Sequence, residues 1–268
     1  VNPFVVRSRI TEDMSAISLV IPTYREAPNI RPLSERINEV LQREKIQYEI
    51  IFVDDNSNDG TTDIVDELRE KDNIPVRVLV RTKERGLSSA VVHGFKSAKY
   101  DVFVVMDADL QHDPEYIPKI AGPILEGSAD FVMGSRNVTG GKVEDWPLHR
   151  RIISWGATNM ARPLTSAGDP MSGFFSIHKK TFAQAKGLNP MGYKIGLELI
   201  VRCRCKNVKE VGIVFRDREH GESKLTMKQN LLYIRQLLGL YWSKFPLLFV
   251  LLFVMMIAVV YFFVKLLF

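Results

Sequence analysis

The sequence predicts an α/β fold built on a mostly parallel sheet with helices on both faces. Three observations carry this reading: short β-branched runs alternate with amphipathic stretches, the runs are almost wholly apolar, and each ends in polar residues. The predicted strands are Ile17 to Thr23, Tyr48 to Asp54, Val76 to Val80, Val102 to Asp107 and Asp130 to Ser135. Between them, Ile30 to Gln42, Thr61 to Glu70, Ser88 to Ser97 and Pro114 to Leu125 have the pattern of helices. Strands such as "YEIIFVDD" and "YDVFVVMDAD" suit central positions, where both faces are buried. In open α/β sheets ligands bind beyond the carboxyl ends of the strands, so Pro22 to Glu26, Asp54 to Asp59 and Asp107 to Gln111 are expected to converge on one crevice.

The later segments are less regular. "NVTGGKVEDWP" reads as a loop, and Leu148 to Leu164 as a helix carrying Arg150, Arg151 and Trp155, with a lid or interfacial role. Met227, Leu231, Ile234, Leu238 and Tyr241 recur at helical spacing, while Lys228, Gln229, Arg235 and Gln236 fall off that stripe. Such a helix either lies on a membrane surface or packs on the domain's own core. Phe245 to Val264 is a run of 20 residues without a charge, long enough to cross about 30 Å of hydrocarbon. A soluble buried helix is the alternative, but few are apolar on every face. The expected organisation is therefore an N-terminal extension (1–16), a globular domain (17–224), an amphipathic membrane-interface helix (225–244) and a transmembrane helix (245–268), either a single span or the first of several in a longer natural chain. Lys224, Lys228, Arg235 and Lys244 precede the span with no acid among residues 223–244, which predicts a membrane protein with its domain on the cytoplasmic face.

Composition narrows the function. At 46% apolar and 25% charged, the 268 residues exclude disordered, collagenous and low-complexity classes. The 36 basic and 31 acidic residues give a net charge of +5, too mild to call for nucleic acid but compatible with anionic small substrates or lipids. Cys203 and Cys205 would project from different faces of a helix, so neither a disulfide nor a metal clip is predicted. No apolar run of signal-peptide length opens the chain, so secretion is not expected.

The strongest constellation is "MDADLQHDPE". Asp107 and Asp109 close an apolar strand, with Gln111 and Asp113 beyond. Two carboxylates one residue apart at a strand end suit a hard cation, Mg2+ or Mn2+, shared with substrate phosphates. The alternative is a solvated turn capping the helix after Pro114, which accounts for Asp113 better than for the other two. In "VDDNSNDGTTD", Asp55 stands nearest the strand and is the candidate for a ribose or base contact. Neither G-x-G-x-x-G nor a P-loop occurs, so phosphate must be held by metal, arginine or lysine.

In order, "VIPTYREAPNI", "FVDDNSNDGT", "ERGLSSAVVHGF", "MDADLQHDPE", "MGSR", "DPMSGFFSIHKKTF", "GYKIGLEL" and "REHGESKL" resemble a family 2 glycosyltransferase of GT-A fold, most like the dolichyl-phosphate mannose synthases. The resemblance runs from about Ile17 to Leu225. It implies inverting, metal-dependent transfer of mannose from GDP-mannose to dolichyl or another polyprenyl phosphate, with UDP-glucose or another nucleotide sugar as the rival donor. A non-catalytic nucleotide-sugar-binding membrane protein is a rival of a different class. By motif, Pro22, Tyr24, Glu26, Val53 and Asp55 would hold the nucleoside, and Asp107, Ala108, Asp109 and Gln111 the diphosphate and metal. Tyr24 also reads as a packed strand-end aromatic. Asp109, Arg136, Arg218 and Lys224 are the candidate catalytic residues, and Arg136, Asp169, Ser172, Arg218 and Lys224 the candidates for the acceptor phosphate or its loop. The three cations also read as surface charges. Gly173 is expected to shape the same pocket, His220 to orient its loop, and Glu198 to pair with Arg202 four residues on.

Overall fold

The computed structural model describes residues 15–143, 148–216, 227–247, 249–251, 254, 255 and 257. In chain order they form β1 (Ala16–Thr23), α1 (Ala27–Arg43), β2 (Gln47–Asp54), α2 (Thr61–Glu70), β3 (Val76–Val80), α3 (Leu87–Ser97) and β4 (Val102–Val105). A 3-10 turn (Pro114–Tyr116) then leads into α4 (Ile117–Leu125), β5 (Phe131–Ser135), β6 (Lys142–Val143) and α5 (Leu148–Ala161). The remainder is β7 (Phe175–His178), α6 (Lys179–Phe182), α7 (Ile195–Arg202), β8 (Val208–Gly212), β9 (Val214–Phe215) and α8 (Met227–Lys244).

Seven strands make one sheet in the order β3-β2-β1-β4-β7-β5-β8. All pairings are parallel except those of β7, which runs antiparallel to both β4 and β5. β6 and β9 form a separate parallel pair. Alternate side chains of the central strands feed two cores. Ile17, Leu19, Ile21, Ile50, Phe52 and Val104 pack under α1, α2 and α4, whereas Val20, Ile51, Val53, Phe103 and Val105 pack under α3 and α7. This two-sided burial is what the unbroken apolar runs predicted.

Several expected boundaries move for identifiable reasons. α1 begins at Ala27 rather than Ile30 because Pro28 sits in the first turn, where its missing N–H has no intrahelical partner to lose. β4 stops at Val105, since its ladder with β1 ends at the pair Val20 and Val105, which leaves Asp107 outside the sheet. The helix expected from Leu148 ends at Ala161, shortly before Pro163.

Of the apolar stripe on α8, Tyr241 packs on the domain while the middle of the stripe does not. Leu231, Ile234 and Leu238 are 62%, 46% and 57% exposed, whereas Tyr233, Gln236, Leu237 and Leu240 are buried against Leu164, Met171 and Leu197. Gln236, off the stripe, donates to the Lys194 carbonyl and the Glu198 carboxylate at 3.2 Å each. Among the described residues no helix is long and apolar enough to cross a membrane. Much of the span predicted from Phe245, and the extension before Ser15, lie outside the described residues.

α3 approaches the sheet so closely that a Cβ on Gly94 would fall 2.3 Å from a Val20 methyl. Gly94→Ala therefore forces α3 off β1 and is expected to destabilise the fold by about 1–3 kcal/mol in a urea melt. An unchanged midpoint would contradict this packing.

Candidate active site

β1, β2 and β4 are adjacent and parallel, so the loops following them emerge at one edge of the sheet. Pro22 lies opposite Val53 in the β1–β2 register, Val53 fully buried and Pro22 at the sheet edge of the crevice. The two loops are tied together. The Arg25 N–H donates to Ser57 Oγ at 2.8 Å, and the Ala27 N–H to Asp59 Oδ2 at 3.1 Å. Asp54 in turn accepts from the Ser57 N–H at 2.8 Å and from its hydroxyl. Arg25 has φ +55°, which turns the chain between Tyr24 and Glu26. The Tyr24 ring carries the guanidinium groups of Arg25 and Arg85 at 5.3 and 5.6 Å, a charged setting unlike that of a core aromatic. Glu26 is buried at the start of α1 and accepts from Asn29 Nδ2 at 2.8 Å.

Asp55 is more constrained than its sequence position implied. Oδ1 accepts from Arg81 Nε at 2.8 Å and from a second Arg81 nitrogen, and Oδ2 accepts the Gly86 N–H at 2.6 Å. Arg81 is itself buried and bonds Ser89 and the Gly86 carbonyl. Asp55 thus fixes the 81–86 loop, and only its remaining lone pairs are available to a nucleoside.

Beyond β4 the chain turns sharply at Leu110, whose φ is +61° while its side chain is buried in the core. Ala108, Asp109 and Gln111 are buried, and the Asp107 side chain is 31% exposed. The Gln111 N–H donates to Asp109 Oδ1 at 3.3 Å. Its amide donates to the Arg216 carbonyl at 2.9 Å, and the Arg216 N–H returns a bond to the Gln111 carbonyl at 3.2 Å. Asp107 lies against Gly173, where a Cβ would come 2.8 Å from its Oδ2. Gly173 therefore makes room for this carboxylate. Among the described residues no three or more acidic, His or Cys side chains cluster as a closed metal cage. The part-exposed Asp107 with the buried Asp109 instead suits Mg2+ or Mn2+, which take few protein ligands and complete their shell with water and phosphate.

Near this pair, across the Phe215 ring from His112, stands a fixed cation. Asp169, fully buried, accepts from the Arg136 backbone N–H at 3.0 Å and from its guanidinium at 2.7 and 2.8 Å. Arg136 also lies over the Phe215 ring at 5.3 Å. Burial by itself pushes the Asp169 carboxyl up, but the hydrogen bonds and charge of Arg136, with the charge of Lys194, hold it below the ordinary carboxylate value. Ser172 closes the same turn: its N–H donates to the Asp169 carbonyl at 3.1 Å, and its hydroxyl accepts the Phe174 N–H at 3.2 Å. Lys194, which the sequence reading left out, places Nζ 2.6 Å from the Met171 carbonyl in this loop. Only its place within "GYKIGLEL" could have singled it out. Glu198 pairs with Arg202 at 3.1 Å as its spacing implied, and is buried in a structural network with Gln236. Arg218, His220 and Lys224 lie outside the described residues.

A family model described as glycosyl transferase family 2 matches residues 18–185. The chain belongs to this family and is a glycosyltransferase. It is 44% identical over 259 residues to a dolichol-phosphate mannosyltransferase of Mycosarcoma maydis, covering 92% of this chain and 87% of that protein. The Saccharomyces cerevisiae dolichol-phosphate mannosyltransferase is 43% identical over 256 residues, covering 92% and 95%. That of Pyrococcus furiosus is 47% identical over 225 residues, covering 82% of this chain and 62% of that protein. Among solved structures, mannosyl-3-phosphoglycerate synthase from Rubrobacter xylanophilus has a TM-score of 0.65 at 16% identity, covering 85% of this chain and 75% of that one. Glucosyl-3-phosphoglycerate synthase from Mycobacterium tuberculosis, solved with Mn2+, UDP and glucosyl-3-phosphoglycerate, has a TM-score of 0.61 at 17% identity, covering 85% and 79%. These structural likenesses establish the GT-A fold.

Asp169→Asn removes the charge that binds the Arg136 guanidinium at two nitrogens inside the fold, and should cost about 3–5 kcal/mol at neutral pH. A depressed folded-state value makes the contribution complete above the ordinary carboxylate value of 3.8 and lost as pH falls below it. The stability difference between wild type and Asp169→Asn, followed by urea melts, should therefore close in acid. A difference independent of pH would contradict the ionised pair.

Proposed function

We propose that this chain transfers mannose from GDP-mannose to dolichyl or a related polyprenyl phosphate, with inversion at the anomeric carbon. The observation that carries the reading is the convergence of Tyr24, Glu26 and Asp55 with Asp107, Asp109 and Gln111 at one sheet edge, near the Arg136–Asp169 pair. The names of the relatives in Mycosarcoma maydis and Saccharomyces cerevisiae, similar across most of their length, support the sugar and the acceptor.

The acceptor needs little help to become a nucleophile. A phosphate monoester has a second pKa near 6, so at neutral pH it is largely a dianion and requires no general base. One acceptor oxygen donates its electron pair to the anomeric carbon, while the bond from that carbon to the diphosphate oxygen breaks and the leaving group takes the electrons. The obstacle is repulsion between two anions. Arg136, held by Asp169, offers a fixed guanidinium, Lys194 adds charge at the same loop, and the resemblance assigns Arg218 and Lys224 of "REHGESKL" to the acceptor phosphate. Asp107 and Asp109, with the Gln111 amide oxygen, would hold Mg2+ or Mn2+, which when bound neutralises diphosphate charge. Val53 and Ala108 are buried in the cores, so they and Pro22 shape the crevice only through the backbone they support.

The acceptor's tail places the enzyme at a bilayer in this reading. Ile152, Ile153 and Trp155 of α5 and Leu231, Ile234, Leu238 and Trp242 of α8 are all exposed, which suits an interfacial surface leading to the apolar run after Phe245. The lysines and arginine before that run favour the cytoplasmic face.

Incubating the protein in detergent with radiolabelled GDP-mannose, dolichyl phosphate and Mn2+ should yield lipid-linked mannose, reduced at least about 100-fold in Asp109→Ala. Product from UDP-glucose but not from GDP-mannose would overturn the donor. No product from any donor would overturn catalysis in favour of a binding role.

A further inference from the structure

The Asp107 backbone has a need that the sheet does not meet. Its N–H lies beyond Val105, the last residue of β4 paired with β1, so no strand supplies an acceptor. The acceptor present is His112, five residues on, whose Nδ1 stands 3.4 Å from the Asp107 nitrogen. The left-handed turn at Leu110 reverses the chain and returns His112 beneath the loop. There the imidazole is 2% exposed and packed between Phe174 and Phe215, with centroids 5.1 and 5.3 Å away. The same nitrogen lies 3.8 Å from Asp107 Oδ2, and Gly173 confines that carboxylate from the other side.

We propose that His112 is a positioning residue that holds the Asp107 backbone, and through it the Asp107 carboxylate, in the place where it meets the divalent cation. The inference rests on the cation site proposed above at Asp107 and Asp109. An apolar side chain of similar size would fill the space between the two phenylalanines but leave a part-buried N–H without an acceptor. The loop would then satisfy that N–H by shifting toward water, carrying Asp107 with it. Asparagine differs, because its Oδ1 branches from Cγ much as Nδ1 does and can accept the same bond. His112 touches neither sugar nor phosphate in this account, and its effect is exerted on cation affinity.

The test is Mn2+ binding in the presence of GDP, read by electron paramagnetic resonance of free Mn2+, for wild type, His112→Leu and His112→Asn, with circular dichroism melts alongside. His112→Leu should weaken Mn2+ by about 10–100-fold, the usual scale for a group that orients a metal ligand, with His112→Asn restoring most of that affinity. Equal Mn2+ affinity in wild type and His112→Leu, or no rescue by His112→Asn while it stays folded, would overturn the role of His112. Absence of Mn2+ binding by the wild type would overturn the cation site and this inference with it. A wild-type measurement covers a His112→Leu that fails to fold: long-range proton–nitrogen correlation should show Nδ1 without a proton in the folded protein. A proton on Nδ1 would remove the acceptor and overturn the proposal.

Discussion

The structure depends on burying both faces of β1, β2 and β4. The apolar side chains of these strands are committed to one core or the other, which leaves little room for exposed chemistry within the sheet. Polar function is confined to the carboxyl ends, where the ladders stop and the backbone must find other partners. Those partners are side chains from neighbouring loops: Asp54 for Ser57, Asp59 for Ala27, Asp55 for Gly86 and His112 for Asp107. The crevice is therefore stiff because the strands beneath it are packed on both sides and the loops above it are cross-linked.

Charge is distributed with the same economy. Two inward-facing acids are bound by arginines, Asp55 by Arg81 and Asp169 by Arg136, and neither pair is exposed. Each buried carboxylate thereby immobilises a loop, at 81–86 and at 169–172 respectively. Asp107 differs, being part-exposed and bounded by Gly173, with room on its open side. That openness sets Asp107 apart from the arginine-bound carboxylates and suits it to a cation and a diphosphate, with the buried Asp109 two residues on.

Much of this was legible in the sequence, because the signals were strong where burial is two-sided. β3 and α2 fall where their patterns placed them, since Val76–Val80 and Thr61–Glu70 are bounded by turn residues and follow a single period. β7 was missed: "FFSIH" is short, and its antiparallel insertion between β4 and β5 is a tertiary choice with no local signature. β8 escaped for a related reason, as "VKEVG" at the sheet edge is half polar and not fully buried. The stripe on α8 was real, but of its members Tyr241 docks while Tyr233, Gln236, Leu237 and Leu240 off the stripe supply the rest, and a buried glutamine is invisible to a hydrophobic period. In the site, residue types were legible and their partners were not. That Arg81 folds onto Asp55 has no signature in the sequence, and Lys194 lay outside every spacing rule applied to it.

The central claim is that the strand ends of β1, β2 and β4 form one nucleotide site completed by a divalent cation. The most direct measurement is calorimetric titration of the protein with GDP in the presence of Mn2+ and again in excess chelator. The account predicts saturable binding with Mn2+ and at least about tenfold weaker binding in chelator, because two carboxylates facing a diphosphate repel it without the cation. Equal affinity under the two conditions would contradict it.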